Sequence, residues 1–327
     1  MLREVDSTVA PRILFLGNYA DPQVAPPPTP GALSRHRYHQ EILGIMIELG
    51  LDVCPSNDPE DLFRLRGDYG FVFSLYNRLP IRSAETYVSA VCEYLKTPYL
   101  GARPELRSVA ADKHLFKMMA RALRLPTPEW ITLDSTVELG RAPEFPPPYL
   151  IKPRSGANSE GIDGNAIQDD WPGAVHQARN LLHSGCRVII EQFIEGVNLT
   201  LPVLSDSRPL PLSAVETISS HHRGILTSAE KQQDNTNLAF EVLADKRFDD
   251  VLREHAGKVY SAARPVDYFR LDYRYNQKTQ EISLLEMNIC CDLSSFGSFI
   301  FSATSQGLTQ KEVLSHILAT SLGRQQA

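Results

Sequence analysis

The sequence predicts an α/β protein: a parallel α/β unit over about the first 110 residues, then a mixed region ending in an antiparallel ribbon. Three observations carry this. Short apolar runs alternate with helical periodicities up to about residue 110. At 327 residues the chain is long for one compact core and suits two or three packed subdomains. Late in the chain, Phe269, Leu271 and Tyr273 alternate with Arg270, Asp272 and Arg274, the period of a half-buried strand.

In chain order, Arg12 to Gly17 reads as a strand. Tyr38, Ile42, Ile45, Met46 and Leu49 describe a helix ended by Gly50. Phe71 to Leu75 is a buried strand, and Tyr87, Val88, Val91, Cys92 and Leu95 mark the next helix. Asp112 suits an N-cap, after which Leu115, Phe116, Met119, Ala120 and Leu123 recur at helical spacing. Lys113 and Lys117 then share the solvent side, and the helix stops before Pro126-Thr127-Pro128. Residues 134 to 148, rich in Pro and acidic side chains, form a connector. Residues 205 to 247 are polar and weakly periodic, as a lid or substrate loop would be. Val313, Leu314, Ile317 and Leu318 give a closing helix, and no internal repeat is present.

The chemistry concentrates in a few places. Glu281 to Asn288 reads as a second strand, joined to the first by a turn at Asn276-Gln277-Lys278-Thr279. A turn centred near Thr279 sets Asp272 opposite Glu286, with Arg270 and Asn288 on the same face. Two carboxylates that close are costly unless a cation lies between them, and hard oxygen donors suit magnesium with a phosphate-bearing substrate. The plainer alternative is a half-buried hairpin with a salt-bridged Arg–Asp pair.

Pro147 to Arg154 is a short apolar strand delivering Lys152, followed by the loop Ser155-Gly156-Ala157-Asn158-Ser159-Glu160-Gly161. Small residues let backbone N–H groups approach phosphate oxygens, with Lys152 as a point charge; an ordinary surface turn reads the same way. Gly156 and Gly161 have P-loop spacing, but Ile162-Asp163 stands where Lys-Ser/Thr is required. Val188 to Gly196 is an apolar strand running into a polar turn, which could offer backbone groups and the Glu191 carboxylate to an adenine edge or be a core strand with an acidic end.

Together these pieces resemble the ATP-grasp superfamily, and more narrowly the D-alanine–D-alanine ligases, over roughly residues 95 to 290. The resemblance rests on Ala111-Asp112-Lys113 with Leu123 to Pro128, on Leu150-Ile151-Lys152-Pro153 and its loop, on Glu191 to Gly196, and on Arg270-Leu271-Asp272 with Leu285-Glu286-Met287-Asn288. It implies an ATP-grasp fold: a pre-ATP-grasp domain over 1–110, a central lid subdomain over 111–186, and a C-terminal mixed α+β subdomain over 187–327. It also implies that Lys113 and Lys152 contact ATP phosphates under the loop bearing Ser155, Gly156, Ser159 and Gly161. Glu191, Phe193 and Ile194 would line the adenine pocket, with Asn198 at the ribose. Asp272, Glu286 and Asn288 would hold one or two Mg2+ ions, replaceable by Mn2+, and Arg270 would face the oxyanion formed at an acyl phosphate.

The departures matter as much. Asn198 stands where an acidic ribose contact is common, and Asp292 stands where the ligases have a glycine. The family's glutamate-and-serine signature for the first amino acid is missing; Pro26-Pro27-Pro28-Thr29-Pro30 and Ser34-Arg35-His36-Arg37 take its place. The expected activity is an ATP-dependent ligase joining a carboxylate to an amine, with amino-acid or peptide-like substrates other than D-alanine. Ester formation, cyclisation, or a nucleotide-binding regulator without turnover are the alternatives. Asp292, Ser294, His222, Arg223 and Lys231 are candidate substrate contacts; for the last three an exposed loop is the plainer reading.

Composition narrows the partners. A formal charge of −6 disfavours nucleic acid as a main partner. No apolar leader or membrane span is read, and five cysteines without a disulfide framework suit a reducing cytoplasm. His221, His222, Cys290 and Cys291 lack zinc-site spacing. A homodimer is open by analogy with the ligases.

Overall fold

The structure is a computed structural model that describes residues 2–76, 84–136, 140–156, 162–219, 223–226, 238–244 and 246–326. Ser159, Gly161, His222 and Lys231 lie outside the described residues.

The first unit is β1 (Ile13–Leu16), α1 (Pro30–Glu48), β2 (Val53–Ser56), α2 (Asp61–Arg64), β3 (Phe71–Ser74), α3 (Ala84–Leu95) and α4 (Pro104–Ala111). Its strands form a parallel sheet in the order β2-β1-β3, as the alternation of apolar runs and helical periods requires. Strand β2 carries Pro55, which is tolerated because β2 is an edge. Helix α1 begins earlier than its apolar period indicates: Pro30 opens it and Gly50, at φ +75°, lies just past its end.

Next come α5 (Lys113–Ala122), β4 (Trp130–Leu133), β5 (Tyr149–Pro153), β6 (Ile167–Gln168), α6 (Trp171–His183) and β7 (Val188–Gln192). The four strands pair antiparallel in the order β4-β7-β5-β6, and Ala174 and Ala178 of α6 pack on Tyr149, Ile151, Val188 and Ile190. Asp112 caps α5, accepting from the backbone N–H groups of His114 (3.0 Å) and Leu115 (3.2 Å).

The remaining elements are β8 (Val197–Ser205), β9 (Pro209–Pro211), β10 (Val215–Ile218), β11 (Ala239–Val242), α7 (Asp249–Ala263), β12 (Tyr268–Asn276), β13 (Glu281–Asn288), α8 (Ser298–Thr304) and α9 (Gln310–Gln326). The sheet runs β11-β10-β8-β12-β13, with β9 also on β8. The stretch 205–247 therefore contributes three strands rather than a loop alone. Strand β8 is central yet contains Pro202. Its β10 partners stop at Thr200 and its β9 partners begin at Val203, so the missing N–H falls in the gap between them.

Alternation assigns the two faces of this sheet. Leu199, Leu201, Phe269, Leu271, Tyr273 and Met287 form a core with Phe116 and Ala120 of α5 and Leu252, Ala256 and Val259 of α7. Asn198, Thr200, Arg270, Asp272, Arg274 and Glu286 face the other way, into a cleft. A further core joins β1, β3 and α1 to Phe299, Val313 and Ile317 of α8 and α9.

Candidate active site

The hairpin β12–β13 forms one wall of the cleft. Asp272 is the cross-strand partner of Glu286, and Arg270 that of Asn288, the register expected from the turn. A bulge then shifts the register by one residue: Tyr273 pairs with Leu284, so Leu285 is extra and lines the cleft beside Glu286.

Asp272 is densely held. Arg270 donates to both its oxygens from Nε and Nη2, each at 2.8 Å. Asn288 Nδ2 donates at 2.9 Å and Thr200 Oγ1, from the paired strand β8, at 3.3 Å. Burial alone would lower the Arg270 pKa, but the adjacent Asp272 carboxylate outweighs it and holds the guanidinium above its usual range.

The facing wall comes from the four-stranded sheet. Lys152 on β5 reaches Glu191 Oε2 on β7 at 2.9 Å. Lys117 approaches the other oxygen at 3.6 Å and donates to Thr127 Oγ1 (2.9 Å) and the Pro128 carbonyl (3.1 Å). This corrects two expectations. Lys117 is not on the solvent side: it is 0 % exposed, while Leu115 of the supposed apolar stripe is an exposed side chain. Three turns of helix cannot turn Phe116, Ala120 and Lys113 inward without carrying Lys117 in as well. Glu191 reaches the cleft, but its carboxylate is committed to two lysines rather than left open to a base edge. Burial would raise the Glu191 pKa; Lys117 and Lys152 bring it below its usual value. Burial brings the Lys117 ammonium down to about 8 despite Glu191.

Lys113 spans the two walls. Its Nζ donates to the Gly156 carbonyl at 2.9 Å, and its own N–H donates to the Arg154 carbonyl at 3.0 Å. Burial lowers its pKa and the Glu286 charge opposes the fall. Arg154 fastens the same corner by donating from Nε to Asp112 at 2.8 and 2.9 Å. Ser155 is bridged to Asp112, and Gly156 takes φ +118°, a backbone angle that favours glycine.

The remaining candidates divide. Phe193, Ile194, Asn198 and Asp292 line the cleft. Asn198 faces it with its amide already engaged, accepting from Arg274 Nη1 at 2.9 Å and donating to the Gly224 carbonyl. Burial raises the Asp292 pKa, and its Oδ1 accepts the Ser294 N–H at 2.8 Å. Ser294 itself is fully buried behind Asp292, which makes it a support for that loop rather than a surface open to substrate. Arg223 is turned away: its Nη2 donates to Asp169, just beyond β6, at 2.8 and 2.9 Å.

A family model described as D-ala D-ala ligase C-terminus matches residues 120–319. The chain belongs to that family. Among curated relatives, the D-alanine–D-alanine ligase of Aquifex aeolicus is 25% identical over 271 residues, 83% of this chain and 87% of that protein. A putative D-alanine–D-lactate ligase of Streptomyces coelicolor is 24% identical over 233 residues, 69% of this chain and 65% of that protein. The crystal structure of the D-alanine–D-alanine ligase of Bacillus anthracis complexed with ATP superposes with a TM-score of 0.72 at 19% identity, covering 97% of this chain and 99% of that one. The fold is therefore ATP-grasp, and the chain is a D-alanine–D-alanine ligase-like carboxylate–amine ligase. No helix among the described residues is long and apolar enough to cross a membrane.

ATP-grasp ligases use ATP and a divalent metal, and the donors here fit a hard cation. Two carboxylates on one rung and an amide on the next offer oxygen ligands, with phosphate oxygens and water to complete the shell. Sequence reading missed Lys117 as the second partner of Glu191, Thr200 and Leu285 beside the acidic pair, and Arg274. Arg274 had a signal, since it continues the alternation of Arg270 and Asp272 on the same face.

Proposed function

We propose that this ligase activates a substrate carboxylate as an acyl phosphate at the expense of ATP and joins it to an amine, with amino-acid or peptide-like substrates other than D-alanine. The observation that supports it most is the pairing of Asp272 with Glu286 across a cleft from Lys152 and Lys113.

Asp272, Glu286 and Asn288 would hold one or two Mg2+ ions, which would supply positive charge against that of the transferring phosphoryl group. Lys152, steadied by Glu191, presents a fixed positive charge to the same oxygens. Lys113 ties the Gly156 turn to the cleft wall, so closure of that turn over a nucleotide couples to the phosphate contact. Phe193 and Ile194 offer apolar cover for a base. After phosphoryl transfer the amine attacks the acyl carbon, the carbonyl oxygen gains negative charge, and Arg270 lies on that wall to stabilise it until phosphate leaves. Asp292 suits the nucleophile's side: a cleft-lining carboxylate with a raised pKa can hold an incoming ammonium and accept its proton.

The rewriting of residues 26–37 and the presence of Asp292 support substrates other than D-alanine. The putative D-alanine–D-lactate ligase among the relatives favours one second reading, a hydroxyl nucleophile giving an ester. An ADP-release screen over amino acids, hydroxy acids and small carboxylates, singly and in pairs, with product mass spectrometry, separates amide, ester and ring. Glu286→Gln is expected to abolish Mg2+-dependent ADP release in a folded protein; undiminished turnover would remove the metal assignment. Any substrate-dependent phosphate release by the unaltered protein excludes a regulator without turnover.

A further inference from the structure

Arg274 points into the cleft from β12, one rung along from Asp272 and on the same face, yet nothing in the chemistry above uses it. It is 4 % exposed, and its guanidinium is spent entirely on the protein. Nε donates to the Ile194 carbonyl at 3.0 Å, Nη1 to Asn198 Oδ1 at 2.9 Å and the Gly224 carbonyl at 2.7 Å, and Nη2 to the Gly196 carbonyl at 2.6 Å and the Arg223 carbonyl at 3.1 Å. A guanidinium has five N–H donors in a planar fork, so these contacts use its whole capacity.

The acceptors come from two separate segments that both border the cleft. One is the Ile194–Gly196 turn that follows the base-side residue Phe193. The other is Arg223-Gly224, which leads directly to the cleft-lining Ile225 and Leu226. Both segments require glycine where the clamp holds them. Gly196 has φ +128° and a Cβ there would meet the Tyr275 carbonyl oxygen at 2.0 Å; Gly224 has φ +65° and its Cβ would lie 3.1 Å from the Gly196 carbonyl oxygen. Asn198, the cross-strand partner of Arg274, completes the junction by donating to the same Gly224 carbonyl. The Phe193 ring lies over the guanidinium, 5.2 Å from Cζ to ring centroid.

We propose that Arg274 is a positioning residue for nucleotide binding: its guanidinium clamps the 194–196 and 223–224 segments together and so sets the base-side wall of the cleft. The inference rests on the ATP-dependent reading above. It contacts backbone carbonyls of the wall and leaves no N–H for a ligand, so its removal acts on how well the wall fits a nucleotide and leaves the hairpin chemistry in place. Charge alone does not perform this role. A lysine carries the same charge, but three donors on one nitrogen cannot span acceptors on two segments and a side chain.

The test measures KM for ATP, kcat, and Mg·ATP affinity by calorimetry for the unaltered protein and for Arg274→Lys, Arg274→Ala and Asn198→Ala. Arg274→Lys and Arg274→Ala are expected to raise KM for ATP tenfold or more, in step with Kd, and to leave kcat within about threefold. Guanidinium chloride at low millimolar concentration should recover much of the loss in Arg274→Ala and none in Arg274→Lys. Asn198→Ala, which keeps the clamp on four of its five acceptors, should raise KM by a smaller factor. Nucleotide affinity unchanged in Arg274→Lys, or a fall in kcat at constant KM, overturns the proposal. Should the arginine variants fail to fold, an unchanged KM in Asn198→Ala overturns it equally. An unaltered protein that neither binds Mg·ATP nor releases ADP would instead sink the functional reading itself, which keeps the two failures apart.

Discussion

Glu191 and Asp272 are carboxylates on facing sheets of one cleft, and each is paired with cations, yet they are held in different ways. Glu191 is 1 % exposed and lies between two ammonium groups, Lys152 at 2.9 Å and Lys117 at 3.6 Å. Asp272 is half-buried and takes directional hydrogen bonds from a guanidinium, an amide and a hydroxyl. Point charges around a sealed carboxylate make a counter-ion: they fix Lys152 and balance a charge that could not be buried alone. Directional donors around a partly open carboxylate make an exchangeable set, in which a cation can replace one donor while the others keep the aim. The first carboxylate is thus bound up with stability, and under the proposed function the second is bound up with chemistry.

That contrast breaks most visibly on turnover. Asp272→Asn keeps shape and hydrogen bonding to Thr200 while removing the charge. It is expected to cut ADP release about 1,000-fold, on the order of 4 kcal/mol, with a smaller fall in the urea midpoint than Glu191→Gln, because Arg270 and Asp272 keep some access to water and their pair is partly screened. Glu191→Gln should do the reverse in kind, costing about 3–5 kcal/mol of stability because two buried ammonium groups lose their counter-ion. Its deficit should shrink as pH rises toward about 8 and stay constant above it. Burial depresses the Lys117 ammonium to about 8 with Glu191 beside it; without that charge it falls further, so the variant sheds the buried proton at a lower pH than the unaltered protein, and above about 8 both have shed it. A Glu191→Gln protein of full stability with no turnover would erase the distinction.

A smaller effect sharpens it on the acid side, in helix α1. His39 is buried, accepts the Tyr19 N–H on Nδ1 at 3.1 Å, and burial with the nearby Arg35 lowers its pKa to about 4. The unfolded chain protonates near 6.5 and the native chain near 4, so stability falls as pH drops through that window, by about 3 kcal/mol from this residue. Denaturant titrations at pH 7 and pH 4.5 should show the loss, and His39→Gln should flatten it. Smallest of all, Asp292→Asn should raise KM for the amine about tenfold, on the order of 1.4 kcal/mol, and leave KM for ATP unchanged. Equal effects on both substrates would reject its assignment to the nucleophile's side.

Legibility followed local regularity. The functional end of the hairpin, Arg270 to Asp272 against Glu286 to Asn288, was readable because polar and apolar side chains alternate there and the turn sets the pairing. The bulge at Leu285, where the alternation of β13 breaks, was not. The parallel pairing of β1 with β3 followed from short apolar runs between helical periods, whereas β2, short and carrying Pro55, was not read as a strand. Strands β10 and β11 were not readable, since Val215, Thr217, Phe240 and Val242 are too few and too far apart in sequence to announce a pair. Pro202 concealed β8 for the reason that its missing N–H falls between two partners. Helix α6 was passed over although Asp170 caps it and Pro172 stands in its first turn. At the site, the residues of the hairpin and of β5 declared themselves by charge in apolar surroundings. The Lys117–Glu191 contact did not, because it joins a helix to a strand of another sheet, and no local pattern records such a meeting.

The extra residue at Leu285 has a consequence of its own. On β13, Ile282, Leu284 and Met287 face the core while Glu286 and Asn288 face the cleft. Excising Leu285 would leave every one of them in phase, with Asp272 still across from Glu286 and Tyr273 still across from Leu284. The added side chain therefore alters neither partners nor inside-outside polarity. What it changes is local twist, and with it the direction in which the Glu286 carboxylate leaves the ribbon. A one-codon deletion there would re-aim a single functional group without unmaking the scaffold that carries it.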